Sequence, residues 1–268
     1  MPGRRLNIPR IKRIVMFLSG ITLGIWSAVT GLSAQAATAP YLSFMLGYAP
    51  PKASARAFVF AMWSALTAAA AWVAFSGRNP EPGTCIIIAV GAVLGAIIAA
   101  RIALPTSSLP IRVGRTLITL GLLYVVVEGV RARFGGPLVI EVQWLRSPVG
   151  WILSGAVCGT MARLLALPIG VFLVPTVVYA GGLTPDAAIV LSLSVSLLAG
   201  MLPAIGYILR TERDELLGPS LTAGGIIGGA IGGFGLARLA SPSSTWPLAA
   251  FGVTAMLLSS WLAYRGSD

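Results

Sequence analysis

Long apolar tracts separated by short polar connections run along the whole chain. They cover residues 14–48, 57–75, 85–102, 115–130, 149–180, 188–209, 221–239 and 248–264. Most are close to the roughly 20 residues that an α-helix needs to cross a bilayer. Proline-rich turns such as Pro50-Pro51 and Thr184-Pro185-Asp186 occupy the connections. The pattern predicts an all-α polytopic membrane protein.

The small residues of the first half recur in the second half. At a constant spacing, the matches are Ser19-Gly20 with Ser154-Gly155, Gly24 with Gly159, Pro40 with Pro175 and Ala53 with Ala188. At a slightly larger spacing, Gly91 and Gly95 match Gly228 and Gly232. Duplicated apolar bundles are typical of secondary transporters. We therefore predict a basic N-terminus at 1–13, a first repeat at 14–130, a linker at 131–147 and a second repeat at 148–265.

The first tract of each half is too long for one bilayer crossing and contains a helix-breaking segment. The breaks are Gly31-Leu32-Ser33-Ala34-Gln35, followed by Pro40, and Pro168-Ile169-Gly170, followed by Pro175. Each tract is therefore predicted to form two helical segments joined by non-helical backbone at membrane depth. If both segments cross, each half has five helices and the repeats are inverted. If they form a re-entrant hairpin, each half has four crossings and the repeats are parallel.

Composition supports the membrane prediction and narrows the chemistry. Hydrophobic residues make up 56% of the chain and charged residues 10%, yet the net charge is +11. The basic residues sit mainly at the N-terminus and in short connections, which indicates orientation by the positive-inside rule rather than nucleic-acid binding. The expected partners are the lipid bilayer and a small anion, with a homo-oligomer also compatible, and the N-terminus is expected to be cytoplasmic.

Histidine is absent and there are only two cysteines, which lie in apolar tracts. This composition disfavours a His-based metal site, haem ligation by His, Ser-His catalysis and a disulfide framework. None of the acidic residues is clearly buried, so no carboxylate proton carrier stands out. We therefore expect no enzyme activity, no metal and no cofactor.

Polar groups at membrane depth are the candidates for function because burying them is costly. Arg163 stands just before the second break, and its guanidinium suits a sulfonate, sulfite or carboxylate group. Neutral donors surround the first break, and helix ends at both breaks favour anions. The candidate substrate-binding residues are Thr30, Ser33, Gln35, Thr38, Arg163, Gly170 and Ser196. Interface anchoring of Arg163 and simple packing of the small polar residues remain alternatives.

The order of these motifs resembles that of a known family. Each half opens on a Ser-Gly helix, passes through a break, reaches Pro40 or Pro175, and continues to a Pro-x-x-Ala turn at Pro50 or Pro185. This order is similar to that of the TauE/SafE sulfite exporters, also called the toluene-sulfonate uptake permease family. The resemblance implies a multi-pass permease of the inner (plasma) membrane for sulfite or an organosulfonate.

The predicted mechanism holds the anion at the two breaks near the midplane and exposes it alternately to either side of the membrane. A transporter of another small organic anion, such as a carboxylate, is the nearest alternative. A non-transporting membrane scaffold is the second alternative, and it predicts that Arg163 is dispensable. An intramembrane enzyme would need polar residues clustered at one interface instead of repeated in both halves.

Overall fold

The computed structural model describes residues 10–48, 50–78, 82–102, 109–135, 142–165, 167–210, 219–240 and 246–265. Within these ranges the regular structure is helical: α1 Arg10–Thr30, α2 Gln35–Phe44, α3 Pro50–Ser76, α4 Pro82–Ala100, α5 Leu109–Gly135, α6 Pro148–Leu165, α7 Gly170–Pro175, α8 Pro185–Arg210, α9 Pro219–Leu239 and α10 Trp246–Arg265. A 3₁₀ turn, Gln143–Arg146, precedes α6, and a π-helical turn, Thr176–Ala180, continues α7. Most of the predicted basic N-terminus, part of the linker and the acidic loop around Glu212 lie outside the described residues.

Five of the described helices, α1, α3, α4, α6 and α9, are long and apolar enough to cross a membrane. Their outer faces are apolar as well. On α4, for example, Ile86, Val90, Leu94 and Ile97 form one exposed stripe. Contiguous apolar surface of this kind suits lipid contact. The chain is thus an all-helical, multi-pass membrane protein.

Glycines bring three pairs of helices into backbone contact: α1 with α9, α4 with α6, and α3 with α9. A Cβ on Gly20 or Gly24 of α1 would meet the backbone of α9, and a Cβ on Gly228 of α9 would meet the backbone of α1. The same geometry joins α4 and α6, where Gly95 lies against Ala156 and Gly159 against Ala92. Small residues permit such approach in lipid, where dispersion contacts drive association.

The glycine-rich run of α9 serves two neighbours at once. Gly224 and Gly228 face α1, whereas Gly225, Gly229 and Gly233 face α3. The run therefore packs α9 against both helices. A similar contact occurs on α4, where a Cβ on Gly91 would meet the backbone of Ile152 on α6.

The same contacts fix helix directions. Along α1 and α9, rising residue numbers meet rising residue numbers, and the same holds for α4 with α6 and for α3 with α9. These pairs are therefore parallel. By contrast, Arg78 just after α3 binds Asp186 in the first turn of α8. Helices α3 and α8 are therefore antiparallel.

Candidate functional site

The chain leaves α1 through a short non-helical segment closed by side-chain hydrogen bonds. Gly31 has φ 69°, which only glycine adopts without strain. Its N–H still donates to Ser27 O at 2.9 Å. The Ser27 hydroxyl in turn donates to Leu32 O at 2.7 Å, and Thr30 donates to Trp26 O at 2.7 Å. Carbonyls freed by the end of the helix are thus satisfied inside the protein. Helix α2 begins directly afterwards at Gln35.

The second break is held by a side chain from another helix. Helix α6 ends at Leu165, and α7 begins at Gly170. Arg115 of α5 donates its Nε–H to Leu165 O at 2.9 Å. On the other side of the break, Val171 N donates to Pro168 O at 3.0 Å. Backbone carbonyls at the first break therefore accept hydrogen bonds from hydroxyl groups, whereas the carbonyl at the end of α6 accepts one from a guanidinium group.

The two breaks contact each other in the interior. A Cβ on Gly170 would lie 2.6 Å from Gly31 O and 2.7 Å from Ser192 Oγ, so only glycine fits there. The Ser192 hydroxyl of α8 donates to Gly31 O at 3.0 Å. Residues from both halves of the sequence thus build one junction at the level where α1 and α6 end.

A cavity of about 960 Å³ lies beside this junction. Four of the predicted site residues line it, namely Ser33 and Gln35 within the first break, Arg163 before the second, and Ser196 on α8. Most of the remaining lining is apolar and comes from α3, α4 and α6, with Pro168 and Ile169 at the second break. Such a volume lies within the usual range for small-molecule sites, where few polar groups orient the ligand.

Three predicted residues lie outside the lining of this cavity. Thr30 is buried and bonded to the carbonyl of Trp26. Thr38 is fully buried on α2, and its hydroxyl has no described partner. Gly170 lies in the junction between the breaks, where it packs against Gly31 and Ser192. The sequence grouped these three residues with the others because each lies within a few residues of a break. The face that each side chain presents depends on its position around the helix, which closeness in sequence does not fix.

The charge in the cavity comes from Arg163. Within the described part of the chain, its guanidinium makes no hydrogen bond or ion pair, although it stands in the last turn of α6. Ser196 likewise has a buried hydroxyl without a described partner. A cation with free donors beside neutral hydroxyl and amide groups can bind an anionic oxygen through charge-assisted hydrogen bonds. Among the described residues, no group of three His, Cys, Asp or Glu side chains could hold a metal.

Two acids are buried, contrary to the sequence analysis. Glu128 is 4% exposed and contacts Arg131 at 3.3 Å on the same helix. Asp186 is 2% exposed and binds Arg78, whose side chain is 40% exposed, at 2.8 Å. Asp186 stands in the first turn of α8, whereas Glu128 lies inside α5, and the burial of both acids comes from tertiary packing that the sequence does not show.

The ion pair lies on the far side of the breaks from the cavity. The cavity follows α3 at Phe58–Ala65 and α4 at Ala92–Ala100, towards the N-terminus of α3 and the C-terminus of α4. Arg78 and Asp186 lie beyond the other end of α3. Between them and the breaks, Trp72 of α3 packs in one buried cluster with Ile189 and Leu193 of α8. Among the described residues, buried apolar packing thus separates the ion pair from the breaks.

Sequence reasoning missed Arg115, Ser27 and the Arg78–Asp186 pair. Arg115 was placed at the edge of an apolar tract, but α5 begins earlier, at Leu109, so this arginine lies well inside a helix. The apolar residues between Leu109 and Arg115 could have indicated this earlier helix start. The partners of Arg115 and Arg78 are distant in sequence. The partner of Ser27 is close in sequence, but their contact depends on the backbone path through the break, which the residue pattern does not reveal.

Comparison with known proteins gives one result. No curated protein and no solved structure matches the chain significantly. A family model described as "Sulfite exporter TauE/SafE" matches residues 16–262, which is most of the chain. The chain therefore belongs to the TauE/SafE sulfite exporter family, a family of membrane transporters and not of enzymes.

Proposed function

We propose that this protein is an alternating-access permease for a small sulfur-containing anion, sulfite or an organosulfonate. The observation that carries the proposal is the unpaired Arg163 in a cavity that also holds Ser33, Gln35 and Ser196. In this site the arginine binds the anionic oxygens, and the neutral groups donate further hydrogen bonds without adding charge. The family supplies the sulfur-containing substrate class, whereas the cavity chemistry by itself supports a small anion.

The proposed architecture is a pair of inverted repeats with five segments each. Helix α3 and its sequence counterpart α8 are antiparallel, which supports inversion. A two-fold axis in the membrane plane would exchange α1 with α6 and α9 with α4. It would therefore map the parallel pair α1–α9 onto the pair α6–α4, which is also parallel. In this arrangement α2 and α7, each broken off from a longer tract, return towards the side from which α1 and α6 entered.

Inverted repeats predict that equivalent turns of the two halves lie on opposite sides of the membrane. We expect Met45→Cys, at the end of α2, to react with an impermeant thiol reagent from the side of the N-terminus. We expect Thr184→Cys, before α8, to react only from the other side. Right-side-out and inside-out vesicles distinguish the two. Reaction of both cysteines from the same side would contradict inversion and favour parallel repeats.

Alternating access further requires that the end of the molecule with the ion pair opens. With a cytoplasmic N-terminus in the inner membrane, the cavity extends towards the cytoplasm and the Arg78–Asp186 pair closes the outer side. Because Arg78 follows α3 and Asp186 begins α8, the pair links the two proposed repeats. Breaking it removes an attraction present in the inward-facing state only, and this shifts the population towards the outward-facing state.

We expect Asp186→Asn to raise the reaction rate of a Ser33→Cys reporter with an impermeant thiol reagent from the outer side several-fold. The control is Glu128→Gln, which removes a buried acid paired within one helix and is expected to leave the rate unchanged. The comparison uses protein in which Cys85 and Cys158, both buried, are replaced by alanine. Equal rates in the two variants would remove the pair from the gating mechanism.

The test of function is counterflow in liposomes containing the purified protein. Labelled sulfite uptake is measured against a panel of trans sulfite, organosulfonates and carboxylates. Stimulation by sulfite or a sulfonate supports the proposal, and stimulation by carboxylates alone would reassign the substrate class. Absence of counterflow for every anion by folded protein would reject transport of these anions and favour the scaffold alternative.

A further inference from the structure

Arg115 is a buried cation at the second break. Its residue is 4% exposed, whereas its neighbours Val113, Leu117 and Leu120 on α5 are all exposed to the surroundings. The arginine therefore projects inward from a lipid-facing helix. Its described contact there is the Nε–H donated to Leu165 O at 2.9 Å.

The group that Arg115 binds is the carbonyl of the last residue of α6. The final carbonyls of a helix lack intrahelical donors and carry the negative end of the helix dipole. Left unpaired in an apolar interior, such a carbonyl costs about 1–3 kcal/mol. A charged donor satisfies the carbonyl and offsets the dipole at once, so Arg115 fixes where α6 ends.

The end of α6 in turn determines the cavity wall. Arg163 lies two residues before Leu165, and Pro168 and Ile169 follow shortly after it in the cavity lining. Displacement of Leu165 therefore moves Arg163 and the second break together. The negative end of α6 would otherwise face the place where an anion is to bind, which disfavours that anion.

In the described part of the chain, no cationic side chain caps the first break in this way. Neutral hydroxyls of Ser27 and Ser192 satisfy Leu32 O and Gly31 O there. Helix α10, the counterpart of α5, carries no arginine before its last residue, Arg265. Positive charge is thus concentrated at the second break, with Arg115 behind the wall and Arg163 in it.

We propose that Arg115 is the positioning residue of the anion site. It holds the end of α6 so that Arg163 faces the cavity, and its charge raises the potential at the second break. The anionic group of the substrate consequently binds on the second-break side, with neutral donors of the first break on its other side. The assignment of the cavity as an anion site rests on the proposed function.

The first experiment measures the electrostatic potential in the cavity and does not require transport activity. In protein with Cys85 and Cys158 replaced by alanine, Ile169→Cys reports at the second break and Ser33→Cys at the first. The measured quantity is the ratio of reaction rates with an anionic and a cationic methanethiosulfonate. We expect Arg115→Gln to lower this ratio at Ile169→Cys about tenfold, equivalent to about 1.4 kcal/mol. The effect at Ser33→Cys should be smaller.

Two variants make the result specific. Arg115→Lys keeps the charge but loses the fixed geometry of the guanidinium, and should restore most of the ratio. Arg146→Gln is the matched control, because Arg146 donates its Nε–H to Gly181 O at 3.1 Å outside the cavity lining. It should leave both ratios unchanged. If Arg115→Gln fails to fold, Arg115→Met takes its place, because it keeps an apolar stem of similar length without the charge. A ratio that falls at Ile169→Cys more than at Ser33→Cys supports the proposal, and equal ratios at the two positions would overturn it.

Transport provides the second readout. Arg115→Gln should raise the KM for counterflow about tenfold with a smaller change in the maximal rate, and Arg115→Lys should restore the KM. An unchanged labelling ratio in folded Arg115→Gln protein would overturn the positioning role. Failure of the wild-type protein to transport any anion would instead reject the proposed function, while the labelling ratio would still report on Arg115.

Discussion

The Arg163→Ala protein is expected to lose saturable anion counterflow while remaining folded. Arg163 supplies the only charge among the residues that line the cavity in the described structure. Hydrogen bonds to charged groups contribute about 1.5–3 kcal/mol each, so losing a bidentate contact weakens anion binding by about a hundredfold or more. Because Arg163 has no described protein partner, its removal leaves no buried acid unpaired and should not destabilise the fold.

The control for this prediction is Arg238→Ala. Arg238 also stands in the last turn of a helix, where it lies 5.9 Å from the ring centres of Phe75 and Phe234, outside the cavity. Its removal should reduce counterflow by less than about twofold, because surface substitutions of this kind have small effects. Wild-type KM in the Arg163→Ala protein would contradict the proposed site and return Arg163 to an anchoring role.

Gly228→Leu is expected to prevent formation of the folded bundle. A Cβ at this position would overlap Ile21 O, and no flexible side chain is there to move away. Separating α1 from α9 also disturbs the neighbouring contacts of α9 with α3. Overpacking in a core typically costs about 1–3 kcal/mol, and a larger cost is expected where backbone meets backbone. The measurement is the yield of monodisperse protein and its melting temperature in detergent.

Gly235→Leu is the matched control on the same helix. Nothing lies within 4 Å of a Cβ placed on Gly235, so the added side chain meets open space. Leucine favours helix over glycine by about 1 kcal/mol, and the control should therefore be neutral or stabilising. A similar loss of folded protein in both variants would show that α9 tolerates no large side chain for reasons other than contact with α1.

The sequence singled out residues of the cavity lining where the signal was local, and it missed buried charged residues where the signal was not local. A cation in an apolar tract next to a Pro-Gly break is rare and costly, so Arg163 could be selected without knowing its neighbours. Arg115 has the same chemistry, but the start of its helix was placed too late. Asp186 follows a proline in a turn, and the arginine that binds it, Arg78, lies 108 residues earlier in the chain.

The sequence by itself determined the membrane class, the apolar helical segments and the places where small residues and prolines recur along the chain. These are local properties, since tract length, Pro and Gly act on the backbone within a few residues. Only the tertiary structure decided that α1 packs on α9 and α4 on α6, and that Ser33, Gln35, Arg163 and Ser196 share a cavity from which Thr30 and Thr38 are turned away. The face that a helical residue presents has no meaning until the partner helix is known, and here the partners come from opposite halves of the chain.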